Sequence, residues 1–359
     1  MFTTSVGVFV FGLLAAIAGG AVGAAIGGNY AFVLTGFCVL ASWGVFAATG
    51  TTFGLDYLAF GPFMGPHVAF GGGVAAAIYA RYRGRLGDGK DVNTPLAGIG
   101  HPDILCVGAA FGIFGYLCQI VISNIPWFGK HTDPVALTVL LSGLLARLMF
   151  GGAPGKGLFH GSLHNSELFH ENATSFPAKI KPGPNGRWLE WQEKPSQLLT
   201  IGSLFGIFAG GASLFLAANV GAYLTTRGLA KNLAAANANS FCFGISAVII
   251  LFLITNRNMP VQHHVTNIAG LAAVQFFPLL MGKTFTTYRW TYTSSWDSHT
   301  WVMATVALVI AAFFGVFTAG LGEFCARLWY NRGTSHIDPP AAAIWLGNTV
   351  VVSLATLFS

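Results

Sequence analysis

Charge is what this chain of 359 residues has least of. Lys, Arg, Asp and Glu together make up 8% of it, against roughly 25% in a soluble globular domain. A water-soluble fold of this size needs charged side chains over its surface, so that class is excluded. No Lys/Arg-rich run with interleaved aromatics occurs, so the net charge of +6 and pI of about 9.1 point to no nucleic-acid partner. In a membrane protein that basic excess belongs to loops facing anionic lipid. Cysteine is sparse: Cys38, Cys106, Cys118, Cys242 and Cys325 lie inside apolar runs, and no two make a C-x-x-C pair. They read as small buried hydrophobes, which argues against a disulfide framework or a thiolate metal site. Met1 to Thr4 carry no charge, so the first apolar run reads as a retained helix rather than a cleaved signal peptide. Sets for nucleophilic or acid–base catalysis are missing too. Gly155-Lys156 lacks the following Ser or Thr of a phosphate-binding loop.

What is abundant is apolar sequence, 54% of residues, together with 47 glycines that suit close helix packing in lipid. A helix needs about 20 mainly apolar residues to cross the hydrocarbon core. Runs of that kind lie at 5–27, 30–50, 62–80, 102–125, 134–151, 197–222, 238–256, 264–282, 300–328 and 339–358. The expected fold is therefore all-α and polytopic, with about ten transmembrane helices. The third, fifth and eighth runs are short or interrupted. Pro62 and Pro66 break the third, and Asn267, Gln275 and Pro278 the eighth. Broken backbone is tolerated in a bilayer only against protein or a wet cavity.

The two ends of the chain echo each other. His67-Val68 opens the third run and His264-Val265 the eighth. His131-Thr132-Asp133-Pro134 opens the fifth and His336-Ile337-Asp338-Pro339 the tenth. Phe111-Gly112-Ile113-Phe114 in the fourth matches Phe314-Gly315-Val316-Phe317 in the ninth. The order is shared, so a first five-helix repeat is expected over 1–151, a loop over 152–196 and a second repeat over 197–359. Five is odd, so the second copy enters the membrane from the opposite side, which makes an inverted repeat. This five-plus-five plan with short third and eighth spans resembles the architecture of urea transporters. The likeness lies in helix count and symmetry alone. It implies a central site between the halves and carries over no family residue.

Lys and Arg fall twelve on the side of the 152–196 loop and five on the other, with Arg147 inside the fifth run. That asymmetry places the loop in the cytoplasm and both termini outside, with the plasma membrane as the expected location.

Asp133-Pro134 and Asp338-Pro339 are natural helix starts, Asp as N-cap and Pro at the first position. A polar role adds His131 and His336, because a helix N-terminus and an imidazole together can meet a solute. His67 and His264 stand at the mouths of the short spans, while Asn267 and Asn348 are intramembrane amides that need partners or a cavity. These eight residues are the solute-pathway candidates. His101 and His299 read as interfacial caps, Gln119 as a weaker amide candidate, Arg147 as a snorkelling residue and Glu323/Arg327 as a helix pair. His160, His164 and His170 with Glu167 and Glu171 read as a solvated amphipathic stretch rather than a metal site. Asn172-Ala173-Thr174 is a glycosylation sequon that a cytoplasmic loop would not use. No carboxylate falls near the middle of a run, so an acid-driven pump is disfavoured. The expected function is passage of a small neutral or weakly charged solute by a channel or uncoupled transporter. A membrane subunit of a larger complex and a polytopic membrane enzyme are the alternatives. No cofactor or metal is expected. The expected partners are the lipid bilayer, the solute, and either further copies of the chain or a membrane complex.

Overall fold

A computed structural model describes residues 6–151, 187–230, 232–331 and 333–359. The His160, His164 and His170 stretch, Lys156 and the Asn172 sequon lie outside them. Ten helices of at least 14 residues account for the described chain. They are α1 (Val6–Ile26), α2 (Gly28–Thr49), α3 (Ala69–Tyr82), α4 (Pro102–Ser123), α5 (Pro134–Phe150), α6 (Pro195–Thr226), α7 (Ala238–Ile254), α8 (His263–Leu280), α9 (Ser298–Cys325) and α10 (Pro339–Leu357). No strand occurs among the described residues, only an isolated bridge between Gly89 and Ser335.

Seven of these helices are long and apolar enough to cross a membrane. They mark the chain as an α-helical integral membrane protein. Three helices, α3, α5 and α8, are not among the seven, and α3 and α5 have only 14 and 17 residues. They occupy the runs that the sequence shows as short. The third run is shorter still as a helix than its apolar stretch suggests. A π-helix at Gly54–Ala59 precedes it, then Phe60 to Val68 leave helical geometry around Pro62 and Pro66, and α3 begins only at Ala69. Proline has no N–H to give and clashes with the preceding turn, so two of them four apart stop a helix there.

Helix starts follow local chemistry. Proline occupies the first turn of α4, α5, α6 and α10. Asp133 accepts from Ala136 N at 2.8 Å, and Asp338 from Ala341 N at 2.8 Å, so both cap as expected. Capping of α9 falls to Asp297, bonded to Thr300 N at 2.8 Å, rather than to His299. His101 sits at the cap of α4 without a side-chain bond. Its neighbour Asp103 instead pairs with Arg85 at 2.7 Å and accepts from Tyr79 Oη at 2.9 Å, tying the end of α3 to α4.

Packing is set by glycine. A Cβ on Gly112 of α4 would run into the Ala16 carbonyl and the Gly20 backbone of α1. One on Gly315 of α9 would run into the Gly202 carbonyl and the Gly206 backbone of α6. Small residues let backbones touch, which is where helix association in lipid gains its dispersion energy. Later contacts repeat in the same way. Gly71 of α3 faces Ser142 of α5, and Gly347 of α10 faces Ile268 of α8. Thr132 bonds Thr349 at 2.9 Å, while Gly143 lies against Ile337. Between the two sets, α2 and α7 cross where Gly36 meets Gly244 and Ala247.

Arg147 does not snorkel. It is 3% exposed and donates to Ser335 Oγ at 2.6 Å, to Ser335 O at 2.7 Å and to Trp329 O at 2.8 Å. It pins the link between α9 and α10 to the end of α5. Glu323 and Arg327 do pair, at 2.5 Å.

Candidate functional site

A cavity of about 590 Å³ lies between the two sets of helices. Its wall follows α7 from Asn237 to Leu253, which at 1.5 Å per residue is about 24 Å, close to the thickness of a hydrocarbon core. The lining draws on corresponding places in both sets. Asn29 before the first turn of α2 is complete and Asn237 at the cap of α7 lie at opposite ends, each seven residues from the Gly36–Gly244 crossing. The caps Asp133 and Asp338 both line it, followed by Ala136 and Ala341, and by Val139 and Ile344. No pair of this kind could arise unless α5 and α10 turned the same face inward.

Seven asparagines, more than any other residue type, supply much of the polar wall. Two of them bond each other, Asn239 Nδ2 donating to Asn267 Oδ1 at 2.8 Å. Another pair, Asn29 Nδ2 to Asn93 Oδ1, is 2.6 Å long. Amides offer donors and acceptors without net charge. Formal charges in the lining balance: Asp133 and Asp338 against Lys90 and Arg257. Lys90 lies over the Tyr330 ring at 4.5 Å. Burial pushes its ammonium down to about 8, although the Asp88 carboxylate pulls the other way. Phe32, Phe70, Phe243 and Ile250 make the remaining wall apolar.

A polar cluster forms at Asp338. His336 Nε2 lies 3.3 Å from Asp338 Oδ1, and His263 of α8 lines the same region. His336 and His263 are each 6% exposed, and Nδ1 of each has no hydrogen-bond partner. Phe70 and Tyr330 meet the His336 ring edge-on, with centroids 5.7 and 5.4 Å away. Phe32 lies 4.7 Å from the His263 ring.

One end of the cavity is covered by the chain between the long loop and α6. Trp188, Leu189 and Trp191 line it there. Gln192 grips Val261 with both ends of its amide, Nε2 donating to the carbonyl and Oε1 accepting from the N–H, each at 2.9 Å. Trp191 Nε1 donates to Met259 O at 3.0 Å. Residues 187–194 are therefore packed structure, not the free loop that their Pro, Gly and charge content suggests.

Of the eight pathway candidates, Asp133, Asn267, His336 and Asp338 line the cavity. The other four do not. His131 turns away and stacks on Trp127 at 4.4 Å, with Nδ1 2.7 Å from the Trp127 carbonyl. His67 and His264 are buried behind the wall, at 1% and 0% exposure. Asn348 lies on α10 away from the lining, and Gln119 bonds Ser123 on its own helix. Asp133 and Asp338 bring carboxylates to the cavity from the starts of α5 and α10 rather than from the middle of a helix. The sequence reading passed over His263, Lys90, Asn239 and the Trp188–Trp191 cover. The doublet His263-His264 was the available signal for the first, because adjacent helical residues point about 100° apart and only one can face the wall. All five cysteines are free, and no group of three metal-ligating side chains occurs among the described residues.

A family model described as a family of unknown function (DUF7973) matches residues 3–359, so the chain belongs to that family. No curated protein and no solved structure matches it.

Proposed function

We propose that this protein passes a small, neutral or weakly charged polar solute across a membrane through the cavity between α2, α5, α7 and α10. The observation that carries the reading is the paired lining. Asn29 and Asn237, Asp133 and Asp338, and Ala136 and Ala341 face one space from opposite ends. Pairs of this kind are what an inverted repeat places about its pseudo-two-fold axis. The glycine contacts of α4 on α1 and of α9 on α6 support the same repeat. So do the two short helices α3 and α8, each preceded by non-helical chain that would be costly against lipid but not beside a wet cavity. On this reading residues 1–151 and 197–359 are the two copies. The twelve-to-five distribution of Lys and Arg puts the Trp188–Trp191 cover in the cytoplasm and both termini outside. A channel or uncoupled carrier fits a lining with balanced charge and many amides. A purely structural subunit would have no use for a polar cavity of this length.

The test is stopped-flow light scattering of proteoliposomes under gradients of acetamide, glycerol, acetate and methylammonium. The expected result is accelerated relaxation for a neutral solute, abolished by Ala136→Trp or Ala341→Trp, which fill the lining from either copy. Relaxation at the protein-free rate for all four, with folded protein in the vesicles, contradicts the proposal.

A further inference from the structure

We infer that Asn239 and Asn267 form the solute-selecting site of the cavity, and that it takes small flat molecules carrying an N–H donor and a C=O acceptor on one group, as a primary amide does. The inference rests on the transport reading for the path by which solute arrives, and on the local geometry for what it meets there.

Asn239 is the second residue of α7, and Asn267 lies one turn into α8 and is 8% exposed. The two side chains share one hydrogen bond, Asn239 Nδ2 to Asn267 Oδ1 at 2.8 Å. Two amides joined by a single bond leave one carbonyl and one amino group over, whichever way round they are turned. Here these are Asn239 Oδ1 and Asn267 Nδ2. Neither bonds another described residue, and neither is sealed off as the unpartnered Nδ1 of the neighbouring His263 is. Both residues line the cavity, so it is the cavity that meets the spare acceptor and donor. The pair is also held in register. A Cβ on Gly270 would come within 3.1 Å of Asn239 Cβ and 3.2 Å of its Cα, so glycine lets α7 approach α8 this closely. Trp43 Nε1 donates to Ser240 Oγ at 2.8 Å and fixes the start of α7 to α2. A site assembled before solute arrives loses little entropy on binding.

Rings continue the wall. α7 and α8 run antiparallel here, so Phe243, four residues after Asn239, and His263, four before Asn267, both stand about 6 Å along the seam from the amides. They meet edge-on with centroids 6.0 Å apart, and Phe32 lies 5.7 Å from Phe243 and 4.7 Å from His263. All three rings line the cavity. A flat solute can therefore set its polar group on the amides and its body against the rings. Its C=O accepts from Asn267 Nδ2 while its N–H donates to Asn239 Oδ1, and neither bond leaves a charge to be compensated. An ion would shed its water there without an opposite charge on either amide. An acceptor-only molecule would leave the Asn239 carbonyl unmet, the kind of loss against which buried polar sites discriminate most strongly. The first copy has no such pair. At the matching places, counted from the Gly36–Gly244 crossing and the His67–His264 match, stand Ala31 and Phe70. One selecting site per chain is expected.

The experiment compares acetamide with glycerol, acetate and methylammonium in proteoliposomes holding wild type, Asn239→Leu, Asn267→Leu or Ala341→Trp. Leucine keeps the volume and removes the hydrogen bonds. Wild type should pass acetamide faster than the other three solutes. Each leucine variant should lose acetamide flux on the order of tenfold, while its glycerol flux changes by less than about twofold. Damage to folding would lower both together. A wild type that prefers glycerol or an ion, or leucine variants that keep the preference for acetamide, overturns the site, while blockage by Ala341→Trp leaves transport standing. If no solute moves in the wild type, or the leucine variants do not fold, side-chain amide NMR of ¹⁵N-asparagine-labelled wild-type protein in detergent decides. Acetamide that shifts the Asn239 and Asn267 signals where acetate does not upholds the site. Acetamide that shifts neither, or acetate that shifts them equally, overturns it.

Discussion

Residues 6–151 and 195–359 pack alike and are equipped differently. Gly112 against Ala16 and Gly20 corresponds to Gly315 against Gly202 and Gly206, and Asp133 and Asp338 cap matching helices. Yet where the first region places Pro66 and Phe70 along the cavity, the second places His263 and Asn267. Its histidine beside the cap, His336, faces the cavity, whereas His131 faces Trp127. On the proposed repeat the scaffold is shared, while the histidines that line the cavity stand on one side. Both copies of that repeat keep the glycine contacts, because a side chain there would meet neighbouring backbone. A cavity wall constrains only the groups that a solute meets.

Several changes can break that comparison. The largest effect is expected from Gly112→Val and Gly315→Val, which drive a side chain into neighbouring backbone. Each should cost roughly 3 kcal/mol or more, read as loss of monodisperse protein after detergent extraction. If one variant folds normally, the two glycine contacts are not equivalent. Next is Arg147→Met. It strips donors from the carbonyls of Ser335 and Trp329 and should cost about 2–4 kcal/mol in reversible unfolding. Val352→Met, at the matching place on α10, should cost under about 1.5 kcal/mol, because no buried polar group loses a partner. Equal losses would mean that Arg147 acts by volume alone. Asp133→Ala and Asp338→Ala should each lose about 1 kcal/mol of stability through the missing cap, recovered by Asn at either place. Both alanines should also change solute flux, the one at Asp338 more, because His336 stands beside it. The smallest effect is expected at His131→Ala, within about 0.5 kcal/mol of wild type and with normal flux. His336→Ala should lower flux without lowering the yield of folded protein. Equal flux in both variants would remove the asymmetry between the copies.

Much of the scaffold is legible in the sequence, because lipid imposes length and apolarity on each span. The ten apolar runs fall on the ten helices within a few residues, apart from the third. There the prolines at 62 and 66 announce a break, but not that helix resumes only at Ala69. The Asp-Pro pairs announce helix caps because capping is local. The site is far less legible. Whether a histidine next to a cap faces a cavity or a tryptophan depends on the turn before it, and His131 and His336 share the Asp-Pro that follows two residues on. Arg147 looks like a surface residue near a helix end, because the carbonyls that it satisfies come from residues 329 and 335, far along the chain. The Trp188–Gln192 cover reads as loop because its partners, Met259 and Val261, are in another segment without regular structure.

The central claim is that the cavity is a path reached from opposite faces at equivalent places in the two copies. Asn29 and Asn237 are those places. In a background with the five native cysteines replaced, Asn29→Cys and Asn237→Cys can be tested in sealed proteoliposomes of known orientation. A membrane-impermeant thiol reagent is applied from one side at a time, and acetamide flux is measured before and after. The account predicts that Cys at 29 reacts only from the face that carries residues 187–194, that Cys at 237 reacts only from the other face, and that either modification stops flux. Reaction of both from the same face, or modification that leaves flux unchanged, would contradict it.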